Sequence, residues 1–155
     1  MRSLSNKQHN SARDGARRRA LDLPAHRQSA AHARAFVRGA AESAGFSRAD
    51  VADIEVAAGE AITNAILYGH AEEAPDPTMI AIAVGSEDAT WFVEVQDSGP
   101  GFDPCRICET QNGDREKLNG RGIPLMKALM DRVHFQRGPA GMRVRLERIL
   151  PDGEA

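Results

Sequence analysis

Two pairs of short segments that contain apolar residues, with a glycine-containing turn between the members of each pair, limit most strongly how this chain of 155 residues can fold. Segments of this length joined by such turns are typical of β-hairpins. Residues 78–84 and 90–96 flank Gly85-Ser86-Glu87-Asp88, and residues 133–136 and 142–149 flank Gly138-Pro139-Ala140-Gly141. Two hairpins predict a sheet that is built mainly from antiparallel strands.

Three helices are predicted outside the hairpins, because apolar residues recur there at helical spacing. They are an alanine-rich stretch from Ala25 to Ala44, a helix that follows the capping box Ser47–Asp50 and ends near Gly69, and a helix from Ile123 to about Asp131. Leu21–Leu23 is a candidate edge strand. We therefore expect an α+β fold, a two-layer α/β sandwich with helices on one face of a mixed, largely antiparallel sheet.

The charge is distributed unevenly along the chain. Residues 1–20 carry a net charge of +5, and residues 21–155 carry −7. We expect residues 1–20 to form a disordered basic arm, residues 21–150 a single domain and residues 151–155 a tail. The acidic body argues against a direct nucleic-acid partner.

Apolar runs are too short for a membrane protein. The longest, Met79–Val84, has six residues, whereas a transmembrane helix needs about 20. No apolar segment follows the arginines at positions 17–19, so the start of the chain does not resemble a signal peptide. The sequence predicts a cytoplasmic protein with no membrane contact.

Glu60 and Asn64 are the first candidate site residues, because they lie one turn apart on the second predicted helix. A carboxylate can accept a proton, and an amide oxygen is a hard ligand suited to Mg²⁺. The two side chains could converge on one ligand, although the same pair would also suit a solvated helix face.

Asp97, Gly99 and Gly101 follow the second predicted strand. A carboxylate at a strand end can point into a pocket, while glycines let the backbone approach a ligand closely. A buried Asp could accept a hydrogen bond from an exocyclic amine, which would favour adenine over an analogue without that donor. Taken alone, this segment is equally good turn chemistry.

Gly120, Arg121 and Gly122 directly precede the third predicted helix. Backbone N–H groups at a helix N-terminus form a phosphate site in outline, and Arg121 could add a positive charge. A plain hinge is the alternative. Neither glycine cluster fits the P-loop or the dinucleotide-binding fingerprint.

In this order, the three segments resemble the ATP-binding family of gyrase-type topoisomerases, histidine kinases and anti-sigma factor serine/threonine kinases, known as the Bergerat or GHKL fold. The matching boxes are residues 60–65, 97–102 and 120–125, and the resemblance covers about residues 21–149. The chain is most similar to the anti-sigma kinase branch, because it is small and has no dimerisation or phospho-acceptor helix.

The resemblance implies a role for each box. Asn64 would bind the Mg²⁺ that bridges the ATP phosphates, Glu60 would act as the catalytic base, and Asp97 would bind the adenine amine. Gly99 and Gly101 would shape the adenine pocket, and Gly120, Arg121 and Gly122 would line the phosphates. Residues 103–119 would form a lid over ATP.

The resemblance also implies partners. Such a kinase binds a sigma factor and phosphorylates a serine on a small antagonist protein of the STAS type, and it can form a homodimer. The alternative is a non-catalytic ATP-binding module that sequesters a protein partner. A second rival is a redox or metal switch at Cys105 and Cys108. Relatives commonly place Thr after the glycine of the last hairpin, where this chain has Met142.

Overall fold

The fold is seen in a computed structural model that describes residues 18–68, 78–99, 122–139 and 141–152. The elements in chain order are β1 (Arg19–Pro24), α1 (Ser29–Ser43), α2 (Arg48–Tyr68), β2 (Met79–Glu87), β3 (Thr90–Asp97), α3 (Gly122–Leu129), β4 (Arg132–Gly138) and β5 (Gly141–Ile149). The predicted α+β class is confirmed.

The five strands form one sheet in the order β1-β2-β3-β5-β4. A mixed sheet was expected to contain a parallel pair, but the four pairings of the described strands are all antiparallel. The candidate edge strand at residues 21–23 is confirmed as part of β1. Strand β1 begins at Arg19, so its first two residues belong to the segment predicted to be an arm, and residues 1–17 lie outside the described part.

The core lies between the sheet and the helices. Every second side chain of β3 faces the helices. Trp91, Val93 and Val95 lie on this face and are almost fully buried. Helix α2 buries more residues than either of the other two described helices, and among them Ile54 and Ile62 have 0 % exposure. Both α1 and α2 bury alanines, whose small side chains permit close packing of helices. The result is the expected two-layer sandwich.

The opposite face of the sheet is covered by charged side chains. Phe92 is 1 % exposed, because the Arg145 guanidinium lies 4.0 Å above its ring. Glu94 accepts hydrogen bonds from Arg18 at 2.8 Å and from Arg145 at 2.9 Å. Burial alone would raise the pKa of Glu94, but these two guanidinium groups outweigh it and lower the pKa.

The turn of the first hairpin is displaced from its predicted position. Strand β2 continues through Gly85 to Glu87, and the connection consists of Asp88, at φ 51°, and Ala89. Gly85 was assigned to the turn, but it pairs with Phe92 inside the sheet. A Cβ atom at position 85 would stand 2.9 Å from Phe92 Cζ, so this glycine makes room for a ring.

The helix ends differ slightly from the predicted bounds. Helix α1 begins at Ser29 rather than at Ala25, because residues 25–28 form a turn before it. The Ala25 N–H donates to the Thr78 carbonyl, outside the helix. Helix α2 begins after Ser47, whose Oγ accepts a hydrogen bond from the Asp50 N–H at 3.1 Å and donates to the Asp50 carboxylate at 2.6 Å. Ser47 is confirmed as the side-chain cap of α2, but the second bond of the predicted capping box differs, because the Asp50 carboxylate accepts from the Ser47 hydroxyl and not from its backbone N–H. No described helix is long and apolar enough to span a bilayer.

Candidate functional site

Helix α2 places Glu60 and Asn64 one turn apart, where α3 begins. Asn64 is 6 % exposed, although polar side chains are seldom so buried, and Glu60 is half-buried. The amide and the carboxylate are therefore not part of a solvated helix face. They point into the junction between the two helices.

Gly122, the first residue of α3, lies against both of these side chains. A Cβ atom at position 122 would stand 2.9 Å from Glu60 Oε2 and 3.6 Å from Asn64 Nδ2. Any side chain there would press on the carboxylate. The structure thus brings together residues of the first and third sequence boxes, which are 58 positions apart for Asn64 and Gly122.

Asp97 ends β3, a central strand of the sheet, and is 2 % exposed. Its Oδ1 accepts hydrogen bonds from the Gly99 N–H at 3.0 Å and from the Met142 N–H at 3.4 Å. Burial raises the pKa of Asp97, and the two N–H donors offset this only in part. The carboxyl group is a buried acceptor whose orientation is set by the backbone.

Sequence reasoning missed the contribution of the second hairpin to this site. Gly141 has φ 119°, and a Cβ atom there would stand 1.9 Å from the Asp97 carbonyl oxygen. The segment Gly138–Gly141 was interpreted as an ordinary turn. A signal was present, since the family resemblance implies Thr directly after this glycine, where the chain has Met142, but it did not indicate contact with Asp97.

Other predicted site residues lie outside the described part of the chain. These are Gly101, Gly120, Arg121, the lid residues 103–119 and both cysteines. The expectations for them stay predictions. Among described residues, no group of three or more His, Cys, Asp or Glu side chains could hold a metal ion.

The donor set around α2 fits a magnesium–nucleotide complex. Asn64 offers a neutral, hard amide ligand that is already desolvated, Glu60 adds one carboxylate, and Gly122 leaves the space in front of them free of a side chain. A Mg²⁺ ion bound by few protein ligands completes its shell with water and phosphate oxygens. The site therefore suits a metal that arrives with a polyphosphate.

Comparison with known proteins agrees with this geometry. Residues 23–148 match the histidine kinase-like ATPase domain family. The serine-protein kinase RsbW of Listeria monocytogenes is 30% identical over 122 residues, which cover 73% of this chain and 75% of the relative. RsbW of Bacillus licheniformis is 31% identical over 113 residues, covering 66% of this chain and 68% of the relative.

Two solved structures share the fold. The RsbU and RsbW domains of a Mycobacterium tuberculosis protein superpose with a TM-score of 0.58 at 22% identity, covering 85% of this chain but only 32% of that chain. The histidine kinase domain of a blue-light-activated kinase from Erythrobacter litoralis gives a TM-score of 0.52 at 17% identity, covering 83% of this chain and 62% of that chain. The chain belongs to the histidine kinase-like ATPase domain family and, within it, to the anti-sigma serine kinase branch that its three sequence boxes resemble.

Proposed function

We propose that this protein is an ATP-dependent serine/threonine kinase that acts as an anti-sigma factor in the cytoplasm. It would bind a sigma factor and phosphorylate a serine on a STAS-type antagonist protein, and a second copy of the chain is a further proposed partner. The observation that carries the proposal is the convergence of Glu60, Asn64 and Gly122, which come from two helices. The similarity to RsbW serine-protein kinases supports it.

The nucleotide would lie between α2, α3 and the end of β3. Asp97 would accept a hydrogen bond from the adenine amine, and Gly99 would shape the pocket beside it. The backbone N–H of Gly122 would face the phosphates, since Gly122 is the first residue of α3. Gly101, Gly120 and Arg121 are proposed to complete these contacts, as the family resemblance implies.

The proposed transfer step needs positioning and a base. Asn64 would bind Mg²⁺, which supplies charge neutralisation on the phosphates when it is bound. Glu60 would orient the serine of the partner and accept its hydroxyl proton while the serine Oγ forms a bond to the γ-phosphorus. The bond between that phosphorus and the bridging oxygen breaks, and ADP leaves.

A single substitution tests the base. We expect Glu60→Gln to lower phosphate transfer by about 10²- to 10⁴-fold and to leave ATP affinity largely unchanged. The matched control is Glu55→Gln, on the same helix, whose carboxylate instead pairs with Arg38. Transfer would be measured as phosphoserine on the partner protein that co-purifies from the native cells. Full transfer by Glu60→Gln would refute the assignment.

A non-catalytic ATP-binding module is the second candidate, and one observation favours it. The family resemblance implies Thr at the position of Met142, whose buried side chain offers no hydroxyl to the site. Such a module would bind Mg-ATP and its protein partner without phosphorylating it. The same co-purification separates the two candidates, because only the kinase would yield phosphoserine.

A further inference from the structure

The end of β3 and the start of β5 approach each other unusually closely. A Cβ atom at Gly141 would stand 1.9 Å from the Asp97 carbonyl oxygen, 2.8 Å from its carbonyl carbon and 2.9 Å from Ser98 Cα. All three are backbone atoms, so no flexible side chain could move aside. The φ of 119° is also a conformation that residues with a Cβ rarely adopt. Only glycine fits at position 141.

The close approach at Gly141 places the backbone N–H of the next residue, Met142, against the Asp97 side chain. The last main-chain pair of the β3–β5 ladder is Gln96 with Arg143. One residue further on, the Met142 N–H donates to Asp97 Oδ1 at 3.4 Å. The Met142 side chain is 1 % exposed in the core, which fixes the position of its amide.

Among the described residues, Gly99 and Met142 donate hydrogen bonds to the Asp97 carboxyl group. Oδ1 accepts both of them. Gly99 donates from the same strand end, and Met142 donates from the neighbouring strand. Because the two donors come from different segments, they restrict rotation of the Asp97 carboxyl group. The other carboxyl oxygen, Oδ2, is therefore held in one position. A buried acceptor with a set orientation discriminates between ligands by whether they supply a donor.

We propose that Gly141 and Met142 form a positioning element that orients Asp97 and so determines selectivity for a purine with an exocyclic amine. The proposal rests on the proposed nucleotide-binding function, which it deepens. Gly141 acts by permitting the close approach, and Met142 acts through its backbone N–H. Neither is a catalytic residue.

The first experiment compares two glycines of one hairpin. Gly141→Ala inserts a Cβ against Asp97, whereas Gly138→Ala is the matched control, because a Cβ there meets nothing within 4 Å. Calorimetry would measure the affinities for ATP and for purine riboside triphosphate, which lacks the amine. We expect wild type and Gly138→Ala to prefer ATP by about 10- to 100-fold.

Gly141→Ala should lose this preference because its ATP affinity falls toward that of the analogue, whose affinity changes little. A preference that survives in folded Gly141→Ala, or a parallel loss of both ligands, would overturn the proposal, since a merely structural role weakens both alike. Wild-type protein that binds neither nucleotide would refute the proposed function instead.

A second measurement needs no destabilising variant. In an NMR pH titration of the wild-type protein, the amides of Gly99 and Met142 should follow one common transition, because both donate to the same carboxyl group. Asp97→Asn should abolish that transition at both amides. A Met142 amide that does not follow the titration seen at Gly99 would overturn the positioning role, whether or not Gly141→Ala folds.

Discussion

Gly122 lies so close to Glu60 that a Cβ atom at position 122 would stand 2.9 Å from the Glu60 Oε2 atom. These residues are far apart in sequence and belong to different helices. The packing of α3 on α2 therefore leaves room for the carboxylate only because residue 122 is glycine. A small change at this glycine should act on the proposed base.

We expect Gly122→Ala to lower phosphate transfer by on the order of 10- to 100-fold, because it displaces the Glu60 carboxylate from its working position. Transfer to the partner protein and the melting temperature would both be measured. The control is Gly39→Ala in α1, where a Cβ meets nothing within 4 Å and should stabilise the helix by about 0.5–1 kcal/mol. Equal transfer by both variants would contradict the proposed role of Glu60.

We expect Asp97→Asn to weaken ATP binding and yet to raise the melting temperature at pH 7. Burial raises the pKa of Asp97 above its ordinary value of 3.8, so the ionised carboxylate opposes folding at every pH above the raised value. Asparagine keeps an oxygen for the Gly99 and Met142 N–H groups and carries no charge.

The gain in melting temperature that is expected for Asp97→Asn should depend on pH, because the pKa of Asp97 is raised in the folded protein. The stability advantage of Asp97→Asn should shrink as the pH falls through the raised pKa and vanish below 3.8, where the carboxyl is protonated in folded and unfolded chains alike. Melting temperatures between pH 3 and pH 7 would measure it. An advantage that is constant over this range would show that ionisation is not its cause.

We expect Glu94→Gln to destabilise the protein by about 1–3 kcal/mol, because it removes the negative charge and one of the two oxygens that accept hydrogen bonds from Arg18 and Arg145. The Glu94 side chain is only 9 % exposed. Glu87→Gln is the control, since this carboxylate pairs with the same Arg145 but is 57 % exposed, and it should cost less than about 1 kcal/mol.

Acid should remove the contribution of Glu94. Because the folded state lowers its pKa below the ordinary 4.5, the stabilisation is complete above 4.5 and is lost as the pH falls through the lowered value. The free energies of unfolding of wild type and Glu94→Gln, measured by urea titration, should therefore converge in strong acid. A difference that persists there would point to packing and not to charge.

We expect Ser47→Ala to cost about 1 kcal/mol in stability, because it removes the side-chain cap of α2. ATP affinity should change little, since the cap lies at the opposite end of the helix from Asn64. Thermal unfolding and calorimetry would test the two expectations separately. A large loss of ATP binding would mean that the cap controls the orientation of the site.

The sequence alone predicted the elements that have strong local signals. The capping box located the start of α2, and periodicity placed Glu60 and Asn64 on one face. Gly85 shows the limit of such reasoning, because a glycine near a hairpin suggests a turn, while its actual use depends on the Phe92 ring across the strand.

The contact of Gly141 with Asp97 lay beyond prediction for a similar reason. It depends on the register between β3 and β5, and a shift of one residue would remove the Met142 amide from the carboxylate. The local sequence does not determine which residues pair between two strands that are distant along the chain. By contrast, the proximity of Gly122 to α2 was expected, but only through resemblance to a family with this order of boxes.

Helix α2 bears both Glu60 and Asn64, and it runs without a break for 21 residues. The two side chains consequently cannot be adjusted independently, because a rotation of the helix displaces both by related amounts. A protein that docks on α1 or on the outer surface of α2 could thus act on the proposed magnesium ligand and on the proposed base in a single movement, without contacting the proposed nucleotide site.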